Sequence, residues 1–302
     1  MASKIITRII SLALIAVMLA SGFMLEKKMN EYRTEQVKKT KVSMQVRSDK
    51  GVDFDKLRAL NPDARAWIYL PGTPIDYPVV YCDDNDYYLH RDIEGNYLFE
   101  GTPFIDAGNE HPFHDKNTVI YGHNMFSGSM FTSLSKFEDE KFFKEHSRFQ
   151  LTTAEGEFDI KAVAYLNEPA DSDLYSTSFD EPGDAGEVYY EGEAPETYTT
   201  EDFIAQIKSN AKVLSDEPFS AADTFVTLST CAYNYEDARH QVIGIICEPG
   251  LVEKTETTLV PIDRITRYKW LILQIALGIL MAAIVLAPLI RMIKGRTKGL
   301  KK

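Results

Sequence analysis

Thr224-Phe225-Val226-Thr227-Leu228-Ser229-Thr230-Cys231 is followed, after the seven residues 232–238, by Arg239-His240-Gln241-Val242-Ile243-Gly244-Ile245-Ile246-Cys247. Both runs are rich in β-branched and apolar residues, and they read as neighbouring strands of one hairpin. If the pair is antiparallel, Cys231 and Arg239 face each other at its mouth, with paired residues about 4.5–5.5 Å apart. Working outward, further β-type runs appear at Ala66–Leu70, Pro78–Tyr81, Pro103–Asp106, Thr118–Tyr121, Phe149–Thr153 and Glu157–Leu166. With Thr224–Thr230 and His240–Cys247 they make eight short strands punctuated by Gly, Pro and Asn, the pattern of a closed barrel or a sandwich. Phe54, Leu57 and Leu60 mark a short helix ending before Asn61-Pro62, and helical patterns are predicted at Met130–His146 and Asp202–Val213.

The 302-residue chain carries a net charge of −12, unevenly spread. Residues 1–52 sum to +6, residues 53–263 to −27 and residues 264–302 to +9. A middle this acidic is a poor ligand for a polyanion, so nucleic acid is excluded as a partner of the folded part. Both basic ends flank apolar runs. Trp270–Ile290 is 21 residues without a charge and is followed by six Lys and Arg, which predicts a C-terminal transmembrane helix with a cytoplasmic tail. Ile9–Leu25 is 17 residues long and is either a signal-peptide core, with Ala20-Ser21-Gly22 as its cleavage site, or a retained anchor; we read it as an anchor. Either way the middle is exported. The expected organisation is an anchor over 1–25, a basic stalk over 26–52, a catalytic domain over 53–250, a linker over 251–269, a transmembrane helix over 270–290 and a basic tail over 291–302.

Three cysteines, Cys82, Cys231 and Cys247, are too few for a disulfide scaffold in an exported domain of this size. Cys82 and Cys247 read as passive thiols rather than a bonded pair. Residues 168–202 hold 12 acids without an intervening base, and in the absence of EF-hand spacing they read as a solvated loop rather than a Ca2+ site. His111, His114 and Asp115 resemble a zinc cluster only loosely, so neither metal nor cofactor is expected.

The strand Thr118–Tyr121 runs into Gly122-His123-Asn124-Met125, which places a histidine at the end of a rigid element. Cys231, His123 and Arg239 together suit acyl transfer: a thiolate attacks a carbonyl, an imidazole moves protons and a fixed cation steadies an oxyanion. On spacing alone the signal is weak: a single cysteine in a strand is more often a buried apolar residue, and Arg239 could merely pair with Asp237 or Glu236. His240, next to Arg239, points to the opposite strand face and is a poor candidate for the base.

At these residues the sequence resembles the sortases, class B in particular. The matching pieces are Thr73-Pro74-Ile75-Asp76-Tyr77-Pro78-Val79, Asp84-Asn85 with Tyr88-Leu89, Asn117-Thr118, Tyr121-Gly122-His123-Asn124-Met125 and Leu228-Ser229-Thr230-Cys231, in family order over roughly residues 50–250. The resemblance implies a mainly β fold, an eight-stranded closed barrel with short N-terminal and inter-strand helices, to which the apolar ends add terminal transmembrane helices. It implies a cysteine transpeptidase that cleaves a C-terminal sorting signal through a thioacyl-enzyme and transfers the protein to a peptidoglycan amine. Cys231 would be the nucleophile, His123 the acid/base and Arg239 the substrate-positioning or oxyanion-stabilising group. Asn85, Leu89, Tyr121 and Ser229 would line the groove, and strand alternation independently puts Ser229 on the face of Cys231. The expected partners are surface proteins bearing a sorting motif, a peptidoglycan cross-bridge or pilin amine, and the lipid membrane. The expected place is the outer face of the cell membrane of a Gram-positive-type bacterium, with both termini cytoplasmic. A C-terminal transmembrane helix departs from the usual class B pattern and keeps pilin polymerisation open as an alternative. A hydrolytic thiol protease and an inactive membrane-tethered binding module stay open beside it.

Overall fold

The computed structural model describes residues 13–24, 26, 27, 39, 41–48, 51–125, 127–179, 198–232, 237–247 and 249. The chain divides into two units, the larger formed by residues 39–257. Of the other unit, residues 13–24, 26 and 27 are helical with exposed side chains. Among the described residues no helix is long and apolar enough to cross a membrane. The expected transmembrane helix Trp270–Ile290 and basic tail lie outside the described residues, so terminal membrane helices are not part of the described fold.

In chain order the larger unit contains β1 (Arg47–Ser48), β2 (Gly51–Val52), α1 (Phe54–Leu60), β3 (Ala64–Tyr69), β4 (Asp76–Val80), β5 (Phe104–Ile105), β6 (Asn117–Tyr121), α2 (Glu140–Glu145), β7 (Arg148–Thr153), β8 (Glu157–Pro169), α3 (Thr200–Asn210), β9 (Val213–Leu214), β10 (Phe225–Cys231) and β11 (Ala238–Cys247). Short 3-10 turns occur at Tyr88–His90, Thr132–Glu138 and Asp173–Tyr175. The sheet runs β11-β10-β6-β5-β4-β3-β7-β8, and an antiparallel ladder between β8 and β11 closes it into an eight-stranded barrel. Each of the eight runs read as strands in the sequence contributes one stave. Closure leaves no open edge among the eight. The two-residue β9 is an addition that pairs with β8 at Ala164 and Tyr165.

Strand alternation divides the core in two directions. Val226 and Leu228 of β10, Val242 of β11, Ile120 of β6, Ile68 of β3 and Leu151 of β7 join one buried cluster drawn from every stave, which is the barrel interior. Phe225, Ile243 and Ile245 face outward and are covered by Phe203, Ile204 and Ile207 of α3. On another outer face Trp67, Val80 and Phe104 are covered by Leu57 of α1. α1 begins at Asp53, whose carboxylate accepts from Lys56 N at 3.1 Å, and ends at Asn61, because the residue before Pro62 is pushed to extended backbone.

Three sequence expectations are corrected in detail. The helix expected over Met130–His146 is broken into the 3-10 turn Thr132–Glu138 and α2, since Asp139 takes an extended conformation and caps Phe142 N at 2.8 Å. The helix expected over Asp202–Val213 is Thr200–Asn210. Thr199 and Asp202 form a capping box at its start, and Val213 leaves to pair with Tyr165. The end of the stretch read as a polar stalk packs on the barrel. Val46 is 1% exposed and joins Leu57 and Trp67, Arg47 salt-bridges Asp76 at 3.0 Å, and Lys39 lies 3.6 Å from the centre of the Tyr77 ring. Burial lowers the Lys39 ammonium to about 8.

Candidate active site

Three strand ends meet at one rim of the barrel. β6 and β10 run parallel, with Tyr121 opposite Ser229, and Gly122 N donates to Ser229 O at 3.1 Å just past the ladder. On the other side of β10, β11 runs antiparallel with Cys231 opposite Arg239 and Ser229 opposite Gln241. The imidazole of His123, the thiol of Cys231 and the guanidinium of Arg239 therefore sit at the ends of β6, β10 and β11, which are adjacent in that order. Cys231 and Ser229 share the outward face of β10 with Phe225, so the thiol faces away from the barrel interior.

Close packing brings the histidine to its place. A Cβ on Gly122 would lie 2.6 Å from Phe131 Cγ, so only glycine lets the chain pass over that ring before His123. Past the histidine, Phe131 N donates to His123 O at 3.0 Å, and Asn124 Nδ2 donates to Cys231 O at 2.7 Å. The loop that carries His123 and the strand that carries Cys231 are thus tied through backbone and amide groups. His123 Nε2 lies 2.9 Å from Leu89 O; a carbonyl only accepts, so Nε2 carries the proton and Nδ1 is the nitrogen that can take another. The ring stacks on His90 at 5.3 Å and on Phe99 at 6.3 Å between centroids. Burial, aided by the neighbouring His90, lowers the imidazole pKa against the opposing pull of the Leu89 carbonyl.

Arg239 Nη1 donates to Ala238 O at 3.3 Å, and among the described residues no carboxylate forms a salt bridge with it. Its charge is felt by the hydroxyls of Tyr121 and Tyr175, and Tyr175 also feels Cys231, which places thiol and guanidinium around one phenol. Asp237, in the turn before Arg239, adopts φ 56°, a left-handed conformation that Asp tolerates better than most residues.

The four expected groove residues are placed differently from one another. Ser229 Oγ is 2.8 Å from Tyr175 Oη, and the Tyr175 ring packs 5.9 Å from Tyr121. Asn85 is exposed, its Oδ1 accepting from Ala107 N at 2.9 Å and its Nδ2 donating to Asp106 Oδ2 at 3.3 Å. Leu89 meets the site through its carbonyl, while its side chain packs under the loop with Tyr88 and Phe104. Tyr175 and Asp106 escaped the sequence reading. Burial pushes the Tyr175 phenol to about 12 and raises Tyr121 well above its ordinary value, with Asp106 adding to the latter, so both phenols remain neutral donors. Tyr175 lies in the acidic loop, where no periodicity marks it, and Asp106 ends a strand with nothing to set it apart from other acids.

The remaining candidates fall outside this site. His240 points to the other face, where its Nδ1 lies 2.8 Å from Tyr165 Oη. All three cysteines are free thiols, and burial raises Cys82 and Cys247. Asp115 accepts from His111 N at 3.0 Å and organises its own loop. Among the described residues no group of three or more His, Cys, Asp or Glu side chains could hold a metal ion.

A closed, mainly β barrel of eight strands is the architecture of the sortases, an enzyme family of cysteine transpeptidases. No family model matches the chain. Sortase B of Listeria monocytogenes is 34% identical over 213 residues, 70% of this chain and 79% of that protein. The crystal structure of Clostridium perfringens sortase B superposes with a TM-score of 0.56 at 29% identity, covering 65% of this chain and all of that one. A crystal structure of sortase B complexed with triglycine gives a TM-score of 0.58 at 25% identity, covering 74% of this chain and 99% of that one. The chain belongs to the sortase B family and is an enzyme.

Proposed function

We propose that this chain cleaves a C-terminal sorting signal and joins the freed carbonyl to a peptidoglycan amine. The observation that carries the reading is the register of β10 and β11, which sets Arg239 opposite Cys231, while His123 follows the end of β6 on the other side of β10. In the acylation step the Cys231 thiol gives its proton to His123 Nδ1 and the sulfur attacks the scissile carbonyl. The oxyanion that forms is steadied by the Arg239 guanidinium, which forms no salt bridge with a carboxylate among the described residues. The imidazolium then returns the proton to the leaving amine as the C–N bond breaks, leaving a thioacyl on sulfur. Ser229, Tyr175 and Tyr121 supply neutral hydroxyl groups beside that carbonyl for the peptide of the sorting signal. The solved sortase B with triglycine supports a short peptide amine as the acceptor.

The apolar runs Ile9–Leu25 and Trp270–Ile290, each beside basic residues, support anchoring in the membrane with the barrel on its outer face. The second run also favours pilin polymerisation as a second reading, with a pilin lysine replacing the wall amine.

Incubating the full chain with a labelled sorting peptide, with and without triglycine amide, tests the reaction. The expected result is an acceptor-dependent amide product that disappears in Cys231→Ala with the fold retained. Acceptor-independent hydrolysis with no transfer product would make the chain a thiol protease instead. For Arg239→Lys a loss of at least tenfold in kcat/KM is expected without unfolding, because an ammonium cannot reproduce the guanidinium's fork of donors. Near-normal turnover of that variant would remove Arg239 from the mechanism.

A further inference from the structure

Gln241 is fully buried, yet among the described residues neither Nε2 nor Oε1 of its side chain has a hydrogen-bond partner. An amide taken out of water without a hydrogen bond costs stability, and an apolar side chain of similar size would not. Its neighbours show what the amide does instead. On the outer face of the barrel Gln241 stands opposite Ser229 of β10 on one side and Leu166 of β8 on the other. Leu166, and Ile243 two residues along β11, belong to the apolar cluster covered by α3 and offer the amide nothing. Its polar neighbours all lie toward the rim. They are Ser229, the Tyr175 hydroxyl 2.8 Å from Ser229 Oγ, and Arg239, two residues before Gln241 on the same strand face.

Counting protons gives this group a direction. Ser229 is fully buried, and among the described residues Tyr175 Oη is the partner of its hydroxyl. If Tyr175 donated to Ser229, the serine proton would be buried and unmet; with Ser229 as the donor, both of its groups are used. Gln241 brings further donors near the same oxygen without closing a hydrogen bond on it. Ser229 and Gln241 both lower the Tyr175 pKa against its burial, as donors to a phenol oxygen do. The phenol's own proton is therefore the one left over for the groove, where the charges of Cys231 and Arg239 also reach this hydroxyl.

We propose that Gln241 is a positioning residue for the acylation step: its amide N–H groups, set beside the Tyr175 oxygen, keep the phenol proton directed at the carbonyl that Cys231 attacks. The proposal rests on the transpeptidase reading above. Gln241 touches no reacting atom, and Tyr175 keeps its proton throughout. What changes as the sulfur attacks is the charge on the carbonyl oxygen. A hydroxyl already turned toward that oxygen stabilises the charge without having to reorient. An interaction that strengthens only in the transition state acts on kcat and leaves KM for the peptide alone.

The experiment uses the full chain and Gln241→Met, which keeps the length of the side chain and removes its donors. Thioacyl formation is followed by mass in single turnover with a labelled sorting peptide. The rate at saturating peptide is expected to fall about tenfold, with half-saturation changed less than about twofold. The urea midpoint should hold or rise, because a buried amide without a hydrogen bond has been removed. In a Tyr175→Phe background, Gln241→Met should change the rate no further, since the proton it directs is gone. A full additional loss in that background overturns the proposal. So does a rise in half-saturation with the rate intact, or a loss of rate matched by a loss of the urea midpoint. If the wild-type chain forms no thioacyl, the transpeptidase reading fails, and Gln241 is then judged without turnover. With tyrosine labelled at Cζ, the Tyr175 resonance of the free chain should move in Gln241→Met, and an unmoved resonance overturns the contact.

Discussion

The protonation of His123 can be argued from its surroundings. Burial lowers its pKa and the neighbouring His90 lowers it further, so the neutral imidazole extends to more acidic pH than the ordinary 6.5. The acid limb of kcat/KM is therefore expected below 6.5, and His90→Gln should move it upward, since it removes a group that holds the pKa down. An imidazole titration followed by NMR checks the assignment, and a downward or absent shift would contradict it. The sign for stability follows from the same fact: the folded chain binds this proton less readily than the unfolded chain, so protonation of His123 costs stability as pH falls below about 6.5. Gly122 is the second residue where one atom decides an outcome. Gly122→Ala puts a Cβ 2.6 Å from the Phe131 ring, and the strain should cost about 1–3 kcal/mol and lower turnover by displacing His123, as read by denaturant unfolding and by kcat. At this scale the sequence is informative where chemistry and register coincide. Cys231 and Arg239 lie at the close and the opening of two strands of one hairpin, so their juxtaposition follows once those strands pair antiparallel, as they do. Tyr175 carries no such mark, because a phenol in an acidic loop is placed by tertiary packing against Ser229 and Tyr121.

At the scale of elements, the strands are legible in the sequence and the helices only in outline. Eight apolar runs of the right length become eight staves because closure of the sheet satisfies each of them on both sides. Helix limits are set by features that periodicity does not register, such as the extended Asp139 and the diversion of Val213 into β9. The capping box of α3 lends itself to a test. Thr199 is partly exposed and its hydroxyl accepts from Asp202 N at 3.1 Å, so Thr199→Ala should lower stability by about 1 kcal/mol with little effect on the barrel interior. A change under a few tenths of that in urea unfolding would mean that packing of Phe203 and Ile207 fixes the helix without help from its cap. The segment before β1 departs from its expected form for a related reason. Its charges suggest a solvated stalk, yet the two apolar residues Val42 and Val46, one helical turn apart, dock it on Leu57 and Trp67. Val46→Ala should accordingly cost about 2 kcal/mol in urea unfolding, although the residue lies outside the domain drawn from sequence.

On the scale of the whole molecule, the net charge of −12 averages two basic ends with an acidic middle of −27. The ends belong with the anchoring proposed above, where Lys and Arg beside an apolar run favour the cytoplasmic side. The middle determines how the barrel meets its substrates from solution. An acidic domain raises the local concentration of cations near its surface, and the effect acts over the Debye length, about 10 Å at 0.1 M salt and about 3 Å at 1 M. Steering of this kind changes the rate of encounter rather than the chemistry, so it should appear in kcat/KM and leave kcat alone. Two sorting peptides matched in motif, one flanked by lysines and one by neutral residues, separate the effect from any general response to salt. With the lysine-flanked peptide kcat/KM is expected to fall several-fold between 0.05 and 1 M NaCl, roughly as screening of a few charge pairs requires, while the neutral peptide changes little. If the two peptides instead follow the same salt curve, the acidity serves the barrel's own solubility and not the capture of its substrates.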